Sequence, residues 1–125
     1  MGKTVVSTSD APGAIGPYSQ AILANGFLFC SGQIPLTPAG ELRTGSIAEQ
    51  AEQCMQNVKG LLASQGLGLE RIVKTTIFLS SMDHFAAVNE VYGAFFESDP
   101  PARSTVAVAG LPKGVDVEIE VIALA

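Results

Sequence analysis

The strongest constraint on this chain is the alternation Val115-Asp116-Val117-Glu118-Ile119-Glu120-Val121-Ile122. A period of two with β-branched residues at every other position describes a strand that packs one face into a dry core. Asp116, Glu118 and Glu120 then share the opposite face, and a row of carboxylates needs water, a cation or a task. Slightly upstream, Pro101-Ala102-Arg103-Ser104-Thr105-Val106-Ala107-Val108 sets an arginine at the mouth of an apolar, strand-like run. A guanidinium there needs an anion, and its planar fork matches a carboxylate bidentately. Two readings stand: a plain ion pair of Arg103 with Glu118 or Glu120, or an anion-binding and acid/base pair acting on a small anionic substrate. For Glu120 the pattern favours a solvated rim.

The rest of the chain supplies elements for one packed unit. Residues 18–23 and 27–31 read as strands around Asn25-Gly26, a two-residue hairpin signal. The prolines of Gly32-Gln33-Ile34-Pro35 and Thr37-Pro38-Ala39-Gly40 remove ladder donors, so this stretch reads as an ordered loop. Ser46-Ile47-Ala48-Glu49 is a capping box, followed by Ile47, Ala51, Cys54, Met55, Val58, Leu61 and Leu62 at helical spacing until Gly66 offers a stop. Residues 72–79 are β-branched and too few for another helix, so they read as a strand. Phe85, Val88, Tyr92, Phe95 and Phe96 mark a helical stripe over 82–96, which Pro100-Pro101 ends. Strands over 104–109 and 115–124 follow, joined by a turn at Leu111-Pro112-Lys113-Gly114. The order is ββαβαββ, an α+β arrangement with two helices on one face of a mixed sheet, in a single domain over 1–125.

Composition bears on what covers the other face. Charged residues are 15% of the chain and hydrophobic ones 47%, against roughly 25% charged in ordinary domains. A monomer would leave apolar surface bare, which points to a homo-oligomer with ligand sites in clefts between copies. Seven basic against twelve acidic residues leave no basic patch for a phosphate backbone, so nucleic acid is not the expected partner. No apolar run reaches the length of a membrane span, and no address is visible in Met1-Gly2-Lys3-Thr4-Val5-Val6. Cys30 and Cys54 lack both disulfide-scaffold and zinc-site spacing and read as reduced thiols, making a cytoplasmic location the expectation.

Weaker candidates surround Arg103 and Glu118. Tyr18 follows Gly16-Pro17 and is either a half-buried core tyrosine or a hydroxyl presented to a site. Ser31-Gly32 ends a strand where backbone can approach a ligand closely, or where the chain simply turns. Asn89 lies at the edge of a helical stripe, an ordinary surface amide unless something lies beside it. His84 has no second ligand at metal spacing, no Gly-x-Ser-x-Gly elbow supports a hydrolytic triad, and no phosphate-binding glycine pattern is present.

Ala14-Ile15-Gly16-Pro17-Tyr18-Ser19-Gln20, Ser31-Gly32-Gln33-Ile34-Pro35, Val73-Lys74-Thr75-Thr76, Val88-Asn89, Pro101-Ala102-Arg103-Ser104, Leu111-Pro112 and Val117-Glu118-Ile119-Glu120, in this order, resemble the YjgF/RidA reactive intermediate deaminases. The resemblance implies a chorismate-mutase-like fold in a homotrimer with three intersubunit sites. It implies hydrolysis of enamines and imines such as 2-aminoacrylate and 2-aminocrotonate to 2-oxo acids and ammonia, without metal or organic cofactor. It assigns Arg103 to the substrate carboxylate and Glu118 to the attacking water, with Tyr18, Ser31, Gly32, Asn89 and Thr105 lining the pocket. Thr105 stands where the family frequently carries cysteine, and Gly110 where a basic residue is common. A homotrimer that binds small 2-oxo acids without turning them over is the reading from a different class.

Overall fold

The computed structural model describes residues 2–125. Strands β1 (Thr4–Val6), β2 (Ala21–Ala24), β3 (Phe27–Cys30), β4 (Ile72–Leu79), β5 (Ala102–Ala107) and β6 (Val117–Leu124) form one sheet in the order β1-β2-β3-β6-β4-β5. Its pairs are antiparallel except β4 with β5, which run parallel because helix α2 (Phe85–Ala94) carries the chain back across the sheet. Helix α1 (Ile47–Ala63) makes the other crossover. Its N-cap Ser46 accepts a hydrogen bond from the Glu49 amide, and Gly66, at φ +71°, follows its end. The α+β arrangement, mixed sheet and two helices match the expectation from sequence.

The apolar stripe of α1, including Cys54, Met55, Val58, Leu61 and Leu62, is fully buried in one core with Val117, Ile119, Val121 and Ala123 of β6. The alternation that opened the sequence thus has its dry face against helix. Burial pushes the Cys30 thiol up to about 12 and the Cys54 thiol higher still, so neither is a ready nucleophile at neutral pH.

Several boundaries differ from the sequence reading for local reasons. A short first strand, β1, precedes the expected pair and hydrogen-bonds to β2; three residues are too few to show a period. β2 begins at Ala21 rather than residue 18, because the Gln20 side chain is engaged with the preceding loop. α2 is shorter than 82–96: Met82–His84 form a tighter turn, capped by Ser81, before the helix proper. β5 covers Ala102–Ala107 instead of 104–109. β6 starts at Val117, leaving Asp116 outside the carboxylate row. Gln50 Nε2 and Ser80 Oγ donate to its carboxylate at 3.0 and 2.7 Å, and these bonds hold its pKa below the usual range.

The face of the sheet away from the helices carries Phe27, Phe29, Ile122, Leu124 and Val106 beside Glu118 and Glu120. Phe29 is 43% and Val106 44% exposed. Part of the chain's exposed apolar surface lies here, with Ile15, Leu42 and Met82 exposed outside the sheet.

Candidate active site

A cleft of about 470 Å3 opens where the loop after β1 meets the end of β3 and the start of β6. Tyr18, Ser31, Gly32 and Glu118 line it together. Each is held by backbone geometry. Gln33, just beyond β3, exchanges both backbone hydrogen bonds with Ile119, at 2.8 and 3.0 Å, and thereby lays Gly32 against Glu118. A Cβ on Gly32 would overlap the Glu118 carboxyl, whose Cδ would lie 2.9 Å away. Any side chain here would push the carboxyl out of its place. Ser31 Oγ donates to the Ser19 carbonyl at 2.6 Å, and the Tyr18 hydroxyl accepts from the Ile15 amide at 3.4 Å.

Gln20 holds the cleft's outer wall. It is 5% exposed; its Nε2 donates to the carbonyls of Thr8, Ala11 and Pro12, and its Oε1 accepts from the Thr8 amide. Sequence reasoning quoted Gln20 and Gln33 within motifs but gave them no role. The available signal was an amide side chain at a position where a buried strand would carry an apolar one.

Glu118 is half-buried, and its pKa is raised, first by desolvation and second by the charge of Glu120. No positive partner lies within ion-pair distance among the described residues. A carboxylate so placed is a stronger base than an exposed one.

Arg103, Thr105 and Asn89 do not line this cleft. Register gives the reason. Arg103 pairs with Thr75 and Thr75 with Val121, so these three point to the helix side. Glu118 is three positions from Val121 and points to the other side. The ion-pair reading of Arg103 with Glu118 or Glu120 is therefore excluded within one chain. The Arg103 guanidinium instead lies over the rings of Tyr92, 5.2 Å from its centroid, and Phe85, 5.7 Å. The Tyr92 hydroxyl donates to Thr75 Oγ1 at 3.0 Å, fixing the ring beneath the cation. Asn89 belongs to the same stripe of α2, four residues after Phe85 and three before Tyr92. Thr105 follows Arg103 on the same face of β5, and its Oγ1 is buried without a hydrogen-bond partner among the described residues. Each chain thus carries the two groups of residues apart, one around the Glu118 carboxylate and one around the Arg103 guanidinium.

The chain thus presents a half-buried carboxylate in a cleft and, elsewhere, a guanidinium on an aromatic bed with no acidic partner in ion-pair distance among the described residues. The family model for Endoribonuclease L-PSP matches residues 8–125, and the chain belongs to that family, the YjgF/RidA family. The mitochondrial yeast protein MMF1 is 52% identical, with 97% of this chain and 83% of that protein covered. The human protein named 2-iminobutanoate/2-iminopropanoate deaminase is 45% identical, over 98% of this chain and 90% of that protein. Among solved structures, Escherichia coli TdcF with bound serine superposes with a TM-score of 0.93 at 42% identity, covering 98% of each chain. No helix among the described residues is long and apolar enough to cross a membrane.

Proposed function

We propose that this protein is an imine/enamine deaminase that hydrolyses 2-imino acids such as 2-iminobutanoate and 2-iminopropanoate. The observation that carries this reading is Glu118: a half-desolvated carboxylate of raised pKa, pressed against Gly32 in the cleft wall, with no cation within ion-pair distance among the described residues. The human relative's name and the serine held by TdcF support it.

In the proposed reaction the two groups of residues come from two copies of the chain, packed as a homotrimer through the apolar open face. Arg103 of one copy holds the substrate carboxylate, with Asn89 and Thr105 beside it. Glu118 of another, with Tyr18, Ser31 and Gly32, faces the imine carbon. Glu118 takes a proton from water as the water oxygen bonds to that carbon and the C=N π electrons move to nitrogen, and it passes that proton to the nitrogen, giving the neutral carbinolamine. Glu118 then takes the hydroxyl proton as the C–O π bond of the 2-oxo group forms, the C–N bond breaks with its electron pair on nitrogen, and Glu118 delivers that proton to the nitrogen, which leaves as ammonia. An imine is already electrophilic, so orientation, a base and water suffice.

The test is 2-oxobutyrate formation from threonine by a dehydratase in the presence of a competing imine trap. Added wild-type protein accelerates product formation and Arg103→Ala does not. Failure of correctly assembled wild type to accelerate it overturns the reading for this substrate and favours a homotrimer that only binds 2-oxo acids. Glu118→Gln separates the two further: turnover collapses while binding of a 2-oxo acid survives.

A further inference from the structure

The rim of the Glu118 cleft carries a lysine in a backbone conformation that lysine disfavours. Lys113 sits at φ +57°, ψ +18°, and lines the same cleft as Glu118, Tyr18 and Ile15. Two overlapping turns impose this geometry: Gly114 N–H donates to Leu111 O at 3.1 Å and Val115 N–H to Pro112 O at 3.4 Å. Both turns need a left-handed residue at position 113, where glycine or asparagine costs least. Gly114, also at positive φ (+67°), shows that the chain supplies glycine next door but not here. Lys113 makes no ion pair among the described residues, so the strain is not offset by a structural salt bridge.

The cleft is also larger than a small imine needs. In the single chain its volume of about 470 Å3 lies within the roughly 300–1,000 Å3 of pockets that take drug-sized ligands, more than a three- or four-carbon acid occupies. The cleft wall also includes Ile15, Ile34 and Leu36, suited to a short aliphatic chain. An acid long enough to fill the cleft meets, on the same lining as Glu118, a lysine side chain.

We propose that Lys113 is a specificity residue that receives a second, distal carboxylate, and that the protein's substrates include 2-imino dicarboxylic acids with an aliphatic spacer. The inference rests on the deaminase reading of the same cleft and names the substrate class that reading leaves open.

The test compares two stable product analogues of equal length, 2-oxoadipate and 2-oxohexanoate, by titration calorimetry with the assembled protein. Wild type binds the dianion about three- to fivefold more tightly, the size of an exposed ion pair, and added salt erodes the difference. Lys113→Arg keeps the preference, and Lys113→Gln and Lys113→Gly abolish it. Lys113→Gly also keeps or raises the thermal midpoint, because glycine relieves the left-handed strain. Equal affinities in wild type, an unchanged preference in Lys113→Gly, or a lowered midpoint in that variant each overturn the inference. The dehydratase assay on the same preparation tests the underlying reading separately. Imine hydrolysis without dianion preference overturns the role of Lys113 alone, and dianion preference without imine hydrolysis overturns the deaminase reading alone.

Discussion

Arg103 and Glu118 project from opposite faces of one sheet. Arg103 is level with Thr75 and Val121, and Glu118 is an odd number of residues from Val121 on the same strand. A four-carbon substrate cannot bridge a sheet, so its carboxylate anchor and its base must come from different copies if both residues serve one molecule. Arg103→Ala and Glu118→Gln are then each inactive alone but complement each other. In a ring with random mixing at equal amounts, half the sites receive an intact arginine and half of those an intact glutamate, which restores about a quarter of wild-type activity. Unfolding, mixing and refolding the two variants, followed by the coupled dehydratase assay, measures it. Activity that stays at the level of the separate variants excludes the composite site.

The raised pKa of Glu118 predicts opposite effects of pH on rate and on stability. The base must be deprotonated, so kcat/KM falls on the acid side with a midpoint above that of an ordinary glutamate, about 4.3. Glu120→Gln moves that midpoint down by removing the second cause of the shift. For stability, the folded state holds the proton more tightly than the unfolded chain. The contribution is full below the unfolded pKa and is lost as pH rises through the folded one. Glu118→Gln, an uncharged isostere, therefore melts higher than wild type at pH 7, and this advantage shrinks toward pH 4. Paired melting curves at the two pH values check the sign.

The strand alternation at β6 and the stripe of α1 were legible because each is a long periodic signal with one dry face. β1 was not, since three residues carry no period. Asp116 was misread as part of the carboxylate row because its hydrogen bonds to Gln50 and Ser80 cross 66 and 36 residues of sequence, which no local pattern encodes. Of the candidate residues named from sequence, Tyr18, Ser31, Gly32 and Glu118 meet in one cleft, whereas Arg103, Asn89 and Thr105 stand apart from it, an arrangement no local pattern encodes. Strand order β6-β4-β5 puts Arg103 two strands from Glu118, and only register shows that they face apart. Lys113 was visible as a turn residue, but its positive φ and its place on the cleft rim exist only in three dimensions.

Gly32→Ala separates positioning from folding. The added methyl meets the carboxyl end of the Glu118 side chain rather than backbone, so the side chain can swing aside at little cost in stability. Displacing a catalytic base by about 1 Å is nonetheless expensive, on the order of 100-fold in rate. The expected outcome is a melting midpoint near wild type with kcat/KM down by at least about tenfold. A variant with unaltered kinetics would show that the Glu118 carboxylate does not act from the place where Gly32 holds it.

Gln20 tests whether the cleft wall is stabilised by one buried amide. Its Nε2 serves three carbonyls of the loop after β1, and its Oε1 serves the Thr8 amide. Gln20→Ala leaves these groups without their partner, at roughly 1–3 kcal/mol for the one buried bond, to the Ala11 carbonyl, and less for the part-buried ones. At about 3–5 °C per kcal/mol for a chain of this size, the melting midpoint drops by several degrees. The damage also reaches the site, because Pro12, Gly13, Ile15 and Tyr18 of that loop line the cleft. KM for imine should therefore rise more than kcat falls, since a loosened wall weakens ground-state binding while Glu118, anchored through Gln33 and Ile119, stays in place. Gln20→Glu discriminates further. It keeps size and one acceptor but loses every donor to the three carbonyls, so it destabilises at pH 7, where it is charged, and recovers at acid pH as the protonated carboxyl regains a donor. A Gln20→Ala protein with wild-type melting and KM would show that the loop holds its shape without the amide.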